Sequence, residues 1–251
     1  MTLTIASMPD VNPATADGFG LITIAACLFV LTEYGFSQPA LLEFRFAPPY
    51  NRWRFFSLIT IMLALVVLCG TVKFSSPLNT LTLMAADFAV SVFDFPGSPS
   101  LIMRGLLESE VTQKAAEMIV PMASLGYLIS VVSFVGFFIY LLRSPWPAQE
   151  DAFHFWSNLP TFQTVLPENA RDRLLQIGLL SIAMAVVFPF AIPFFLKSFS
   201  DLLPIRSFVG DFTLFWIIAF STWLPLACAM RGFSLLKVSR MIEYDSQKEP
   251  A

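Results

Sequence analysis

Residues 55–72 read FFSLITIMLALVVLCGTV, and no charged residue follows until Lys73. An α-helix rises about 1.5 Å per residue, so roughly 20 such residues cross the ~30 Å hydrocarbon core of a bilayer. Long apolar runs also cover about 18–35, 118–142, 174–196 and 212–230. Numbered along the chain, spans one to five are 18–35, 55–72, 118–142, 174–196 and 212–230. These runs predict an all-α, polytopic integral membrane protein with about five transmembrane helices.

The composition supports the same class of protein. Of the 251 residues, 56% are hydrophobic and 13% are charged, and the mean hydropathy is +0.71. Soluble domains carry about 25% charged residues, so a chain this apolar needs a bilayer to cover part of its surface. The net charge of −3 and the lack of a basic run argue against a nucleic-acid partner.

The residues that bind metals or cofactors are scarce. His154 is the single histidine, and the sequence has neither CxxC nor HExxH spacing. Cys27, Cys69 and Cys228 each lie in a different apolar run, as expected of small hydrophobic residues rather than of a disulfide framework. We therefore expect no cofactor and no metal.

The distribution of Lys and Arg predicts the orientation, because cytoplasmic loops are enriched in both. The linker after span one, the loop after span three and the C-terminal tail hold ten: Arg45, Arg52, Arg54, Arg143, Arg171, Arg173, Arg231, Lys237, Arg240 and Lys248. The opposite loops hold five: Lys73, Arg104, Lys114, Lys197 and Arg206. This bias predicts a cytoplasmic (inner) membrane protein of bacterial type with its N-terminus outside.

The same prediction divides the chain into three parts. Residues 1–17 are expected outside the cytoplasm, 18–230 in the membrane and 231–251 in a cytoplasmic tail. Since 1–17 contain neither Lys nor Arg, the first apolar run is interpreted as a retained helix rather than a cleaved signal peptide.

Residues 79–95 are apolar but contain Asp87 and Asp94. Their uncharged part is too short to cross a bilayer, so we expect an interfacial or half-inserted helix on the outer face. A sixth span is the alternative, and it would invert part of the topology. Pro96–Ser100 form a turn cluster, after which Ser100 is expected to cap a further helix.

Two surfaces are candidates for contact with lipids or partners. Arg45, Arg52, Trp53 and Arg54 interleave basic and aromatic residues, which is typical of a headgroup-level belt. Recognition of a specific lipid headgroup or of an acidic protein is the alternative.

The second surface is a row of small residues in span three: Gly126, Ser130 and Gly136. Small residues at this spacing let two helix backbones approach closely. The row therefore predicts either internal packing or contact with a partner chain.

Span four contains Pro189 and Pro193, which remove two backbone donors and should bend or open the helix. In a transporter such a bend could line a path, with Asp87 as a gating or binding group. The alternative is that neighbouring helices accommodate both prolines structurally.

We expect an accessory, assembly or scaffold subunit that is not an enzyme and acts through helix–helix contacts. Its expected partners are the lipid bilayer and other membrane proteins. The first alternative is a small transporter or channel for an uncharged or lipid-like solute. The second is an enzyme acting on lipid headgroups, for which Glu33, Asp151 and His154 are the candidates.

Overall fold

A computed structural model describes most of the predicted membrane region. The described residues are 24–25, 27–28, 30–32, 44, 48–70, 76–108, 113–146, 159, 167–202 and 211–246. The predictions for 1–17, for most of span one, and for Glu33, Arg45, Asp151, His154 and 247–251 lie outside these residues.

Six helices make up most of the regular structure of the described residues. They are α1 (Pro48–Gly70), α2 (Pro77–Phe93), α3 (Pro99–Leu107), α4 (Gln113–Arg143), α5 (Pro167–Leu202) and α6 (Asp211–Ser246). The described residues between 24 and 32 are also helical. The prediction of an all-α fold is confirmed.

Four of these helices are long and apolar enough to cross a membrane. The stretches are Pro49–Gly70, Ala116–Arg143, Ala170–Ser198 and Leu214–Met241. They overlap the predicted spans at 55–72, 118–142, 174–196 and 212–230. Helix α2 is shorter, at 17 residues. The chain is therefore a helical membrane protein.

Helix α6 continues well beyond residue 230, where span five was expected to end. It is 36 residues long and reaches Ser246, so the predicted tail begins as a continuation of the helix. Arg231 and Lys237 do not end a helix, since both residue types have high helix propensity. Apolar residues also continue at helical spacing among them, and Leu235 and Val238 are fully buried.

The connection between α2 and α3 corrects the predicted cap. Ser98, not Ser100, is the N-cap of α3, and its hydroxyl oxygen accepts from the Leu101 amide at 3.3 Å. Pro99 causes this, because a proline keeps the preceding residue out of the α region and is itself favoured in the first helical turn. The turn before it depends on Gly97, whose φ of +82° favours glycine.

The chain divides into two compact units. Of the described residues, the first unit holds those within Phe56–Val132 and Ala185–Leu226, and the second holds those within Phe19–Phe55, Ser133–Met184 and Ala227–Ala251.

The core of the first unit lies where α4 packs on α6. A Cβ added to Gly126 would lie 2.7 Å from Thr222 Oγ1 and 2.8 Å from Thr222 Cγ2. One helical turn later, the buried Ser130 hydroxyl donates to the Thr222 carbonyl oxygen at 2.8 Å. Gly126 and Ser130 thus mediate internal packing, which was one of the two predicted roles.

Candidate functional site: an aromatic and cationic cluster in the second unit

A chain of aromatic rings lies in the second unit. The ring centroids of Phe44 and Tyr50 are 4.6 Å apart, and Tyr50 is 6.2 Å from Phe137. Phe44 is also 6.1 Å from Trp146, in the turn that follows α4. These four rings are almost fully buried. They join the linker before α1 to the C-terminal end of α4 through tilted and edge-on contacts.

Local backbone features hold the Phe44 ring in this chain. Phe44 has a left-handed φ of +58°, and its carbonyl oxygen accepts from Asn51 Nδ2 at 2.5 Å. A non-glycine residue with positive φ is uncommon and persists only where its surroundings fix it. Here the buried ring and the hydrogen bond from α1 fix it.

Gly136 explains how Trp53 reaches the same cluster. A Cβ added to Gly136 would lie 2.9 Å from Trp53 Cη2, so the indole occupies space that only glycine leaves open. Trp53 also lies 6.4 Å from the Phe137 ring. Both residues were predicted as lipid or partner contacts, and in the structure Trp53 of α1 packs on Gly136 of α4. Beside Trp53 on α1, Arg52 is exposed and Arg54 is half-buried.

Two further glycines bring α5 against α6. A Cβ added to Gly232 would lie 2.7 Å from the Gly178 carbonyl oxygen and 2.6 Å from Ile182 Cγ1. Nearby, Arg231 Nη1 donates to the Ser181 hydroxyl at 2.7 Å. The sequence analysis missed this contact because each glycine is isolated in its own helix, 54 positions from the other.

Arg231 introduces a cation within the apolar stretch of α6, which runs to Met241. Charged groups inside membrane spans are costly and mark functional candidates. The sequence analysis placed Arg231 at the start of the tail, where an arginine needs no explanation. The signal in the sequence was that apolar residues recur at helical spacing after Arg231, which indicates that the helix continues.

A pocket of about 480 Å³ opens beside Trp146. It is lined by Phe138, Leu141, Leu142, Pro145, Trp146, Phe233, Leu236, Lys237, Arg240 and Met241. The Lys237 ammonium donates to the carbonyl oxygens of Leu141 and, at 2.6 Å, of Ser144. Lys237 thus caps the negative C-terminal end of α4. Apolar walls with two cations form a site suited to an amphiphilic anion.

Asp87 lies in the first unit, on α2, and is exposed. Helix α2 packs through Ala86, Ala89 and Phe93, whose ring is 5.9 Å from that of Tyr127. At 100° per residue, Asp87 shares a polar stripe with Thr80, Ser91 and Asp94. Between the packed side of α2 and this polar stripe lies an exposed apolar stripe: Leu78, Leu81, Met84, Phe88 and Val92.

Pro189 and Pro193 both lie inside α5, which is assigned as one helix from Pro167 to Leu202. Pro193 is buried and Pro189 is half-buried. Along the N-terminal half of α5, the buried side is a stripe of Ala170, Leu174, Gly178 and Ser181.

Among the described residues, no group of three or more His, Cys, Asp or Glu side chains could hold a metal ion. No protein-family model matches the chain, and comparisons with curated proteins and with solved structures find no match.

Proposed function

We propose that the chain is a membrane accessory subunit without catalytic activity, which binds another membrane protein through α5. The observation that supports this most is the difference in burial between two spans of similar length. Only 11% of the apolar window of α5 is buried within the chain, whereas the figure for α6 is 56%.

The exposed side of α5 is large and continuous. It consists of Leu179, Leu180, Val186, Val187, Phe190, Phe194 and Phe195. Lipid can cover any apolar helix face. We infer a protein partner because α5, unlike α6, packs against its own chain along only a narrow stripe, and a helix of another protein would complete its packing.

Pro189 and Pro193 have no N–H groups, so the carbonyl oxygens of Ala185 and Pro189 lose their usual i+4 donors. No water is available in hydrocarbon to replace such donors, and transmembrane prolines are tolerated where neighbouring helices or side chains supply them. Ala185 and Pro189 are half-buried, so donors for their carbonyl oxygens would come from the packed side of α5 rather than from a partner on its exposed side.

The test is affinity purification of the full chain from membranes in a mild detergent. A distinct membrane protein should co-purify with the wild type in fixed proportion. Val187→Trp, on the exposed side of α5, should lose it, because a bulky ring obstructs a protein surface but not fluid lipid. Leu81→Trp, on the exposed stripe of α2, is the matched control and should retain it. Equal recovery with both variants would refute the role of α5.

For orientation, we propose the inner membrane of a bacterial-type cell, with the N-terminus outside and the C-terminus in the cytoplasm. The ratio of ten to five in loop Lys and Arg residues supports this. Helix α2 has a packed side, a polar stripe containing Asp87 and an exposed apolar stripe containing Phe88. This pattern supports an interfacial position, with the polar stripe towards water and the apolar stripe towards lipid. Reporter fusions at the two ends should be active in opposite compartments, and activity in the same compartment would contradict the topology.

A further inference from the structure

The pocket beside Trp146 combines two features that the accessory role does not use. Its walls are mostly apolar, from Phe138 and Leu142 on α4 and Phe233 and Met241 on α6. Its cations, Lys237 and Arg240, lie near the ends of the two apolar stretches, which finish at Arg143 and Met241. Since the ends of transmembrane stretches are where acyl chains meet headgroups, we infer that the pocket lies at this boundary.

We propose that this pocket binds one anionic phospholipid. The phosphate contacts Arg240 and Lys237, and the part of an acyl chain nearest the headgroup lies along the apolar walls. Basic pockets between transmembrane helices at the membrane boundary are suited to acidic headgroups. The proposal is independent of any protein partner of α5.

Arg240 is the main phosphate ligand. It is exposed, and no carboxylate pairs with it in the described part of the chain. A guanidinium presents several donors in a planar fork, which matches phosphate oxygens better than an ammonium does. Lys237 adds positive charge but already donates to the Leu141 and Ser144 carbonyl oxygens. It therefore holds the C-terminal end of α4, which lines the pocket, in place and also attracts the anion.

The size and lining favour a lipid over a free anion. At about 480 Å³ the pocket falls within the ~300–1,000 Å³ range of small-molecule sites. Inorganic phosphate would contact only the two cations and would leave the rings of Phe138 and Phe233 uncovered. These rings lie 5.1 Å apart in an edge-on contact and form a continuous apolar surface.

The test measures lipids retained by the purified full chain in native mass spectrometry, after incubation with phosphatidylglycerol or with phosphatidylcholine. The wild type should retain one phosphatidylglycerol with about tenfold preference over phosphatidylcholine, as expected of a charge-assisted contact. Arg240→Ala should abolish the preference, and Arg240→Lys should keep part of it.

Arg173→Ala is the matched control, since Arg173 is an exposed arginine of the same unit that does not line the pocket. It should reduce the retention of both lipids a few-fold at most and keep the preference. A loss of preference in Arg173→Ala equal to that in Arg240→Ala would indicate general charge attraction and overturn the proposal.

Blocking the apolar wall separates lipid from phosphate. Leu142→Trp keeps both cations, fills the groove from an exposed position and should prevent the retention of phosphatidylglycerol. Sodium phosphate should not displace the lipid from the wild type. Unchanged retention in Leu142→Trp, or displacement by phosphate, would refute a lipid site.

Discussion

Replacing Gly126 by alanine tests the packing of the first unit. The added Cβ would meet three atoms of Thr222, at 2.7 Å (Oγ1), 2.8 Å (Cγ2) and 3.0 Å (Cβ). Rotation of χ1 moves Oγ1 and Cγ2 but leaves Cβ in place. The hydroxyl also donates to the carbonyl oxygens of Ile218 and Ala219, at 3.0 and 3.1 Å, so rotation would break those bonds. Helices α4 and α6 must therefore move apart.

The magnitude follows from two opposing contributions. Overpacking a close contact costs about 1–3 kcal/mol, whereas replacing glycine by alanine in a helix gains about 0.5–1 kcal/mol. With the middle of each range, the free energy of unfolding should fall by about 1 kcal/mol. Gly105→Ala is the matched control, because no atom lies within 4 Å of its added Cβ. That variant should be unchanged or more stable by up to about 1 kcal/mol.

The assay is unfolding in mixed detergent micelles by sodium dodecyl sulfate, followed by tryptophan fluorescence and circular dichroism. Thr222→Ala removes two of the three clashing atoms, so the double variant Gly126→Ala/Thr222→Ala should recover about 1 kcal/mol relative to additivity. Wild-type stability in Gly126→Ala, or an equal loss in Gly105→Ala, would refute the close approach of α4 and α6.

Three further variants probe other contacts. Gly232→Ala should cost about 2 kcal/mol once the same glycine-to-alanine gain is subtracted, more than Gly126→Ala, because its Cβ would meet backbone at the Gly178 carbonyl oxygen; wild-type stability in the same assay would contradict the α5–α6 contact. Ser130→Ala should cost about 0.5–1 kcal/mol through loss of the bond to the Thr222 carbonyl oxygen, and no loss would show that the bond contributes nothing. Lys237→Met keeps the apolar stem but removes the cap of α4, so hydrogen exchange at 140–146 should quicken about threefold to tenfold while 120–130 stays unchanged; protection equal to wild type would contradict the capping role.

The four described spans were predictable because a bilayer selects directly for hydropathy. Residues 55–72 contain no charge, and no soluble arrangement covers such a run as simply as lipid does. The end of α6 was less predictable. An arginine at 231 is what the cytoplasmic end of a span usually shows. Here the helix continues past Arg231, whose guanidinium donates to the hydroxyl of Ser181.

The glycine contacts show what single-sequence reasoning misses. The row containing Gly126 and Ser130 predicted a close helix approach, but nothing local specified Thr222 as the residue that meets it. Gly178 and Gly232 are each the single glycine of their helix, and nothing in the sequence indicates that they face each other. Each contact depends on which residues of two helices meet in the fold. The sequence shows the residues of each helix but not their partners in the other helix.

The pocket was missed for the same physical reason. Its walls come from α4 and α6, and Lys237 reaches carbonyl oxygens 93 and 96 residues earlier in the chain. The aromatic and basic character of the linker was apparent, and Trp53 and Gly136 were both selected. Their mutual contact required the structure.

Site-specific photocrosslinking in intact membranes tests the proposed partner surface most directly. A photoreactive amino acid should be placed at Leu180, Val187 or Phe195 on the exposed side of α5, and at Leu81 on α2 as the control. The proposed role of α5 predicts crosslinks to one discrete membrane protein from the α5 positions and only lipid adducts from Leu81. Lipid adducts alone at all four positions would contradict it.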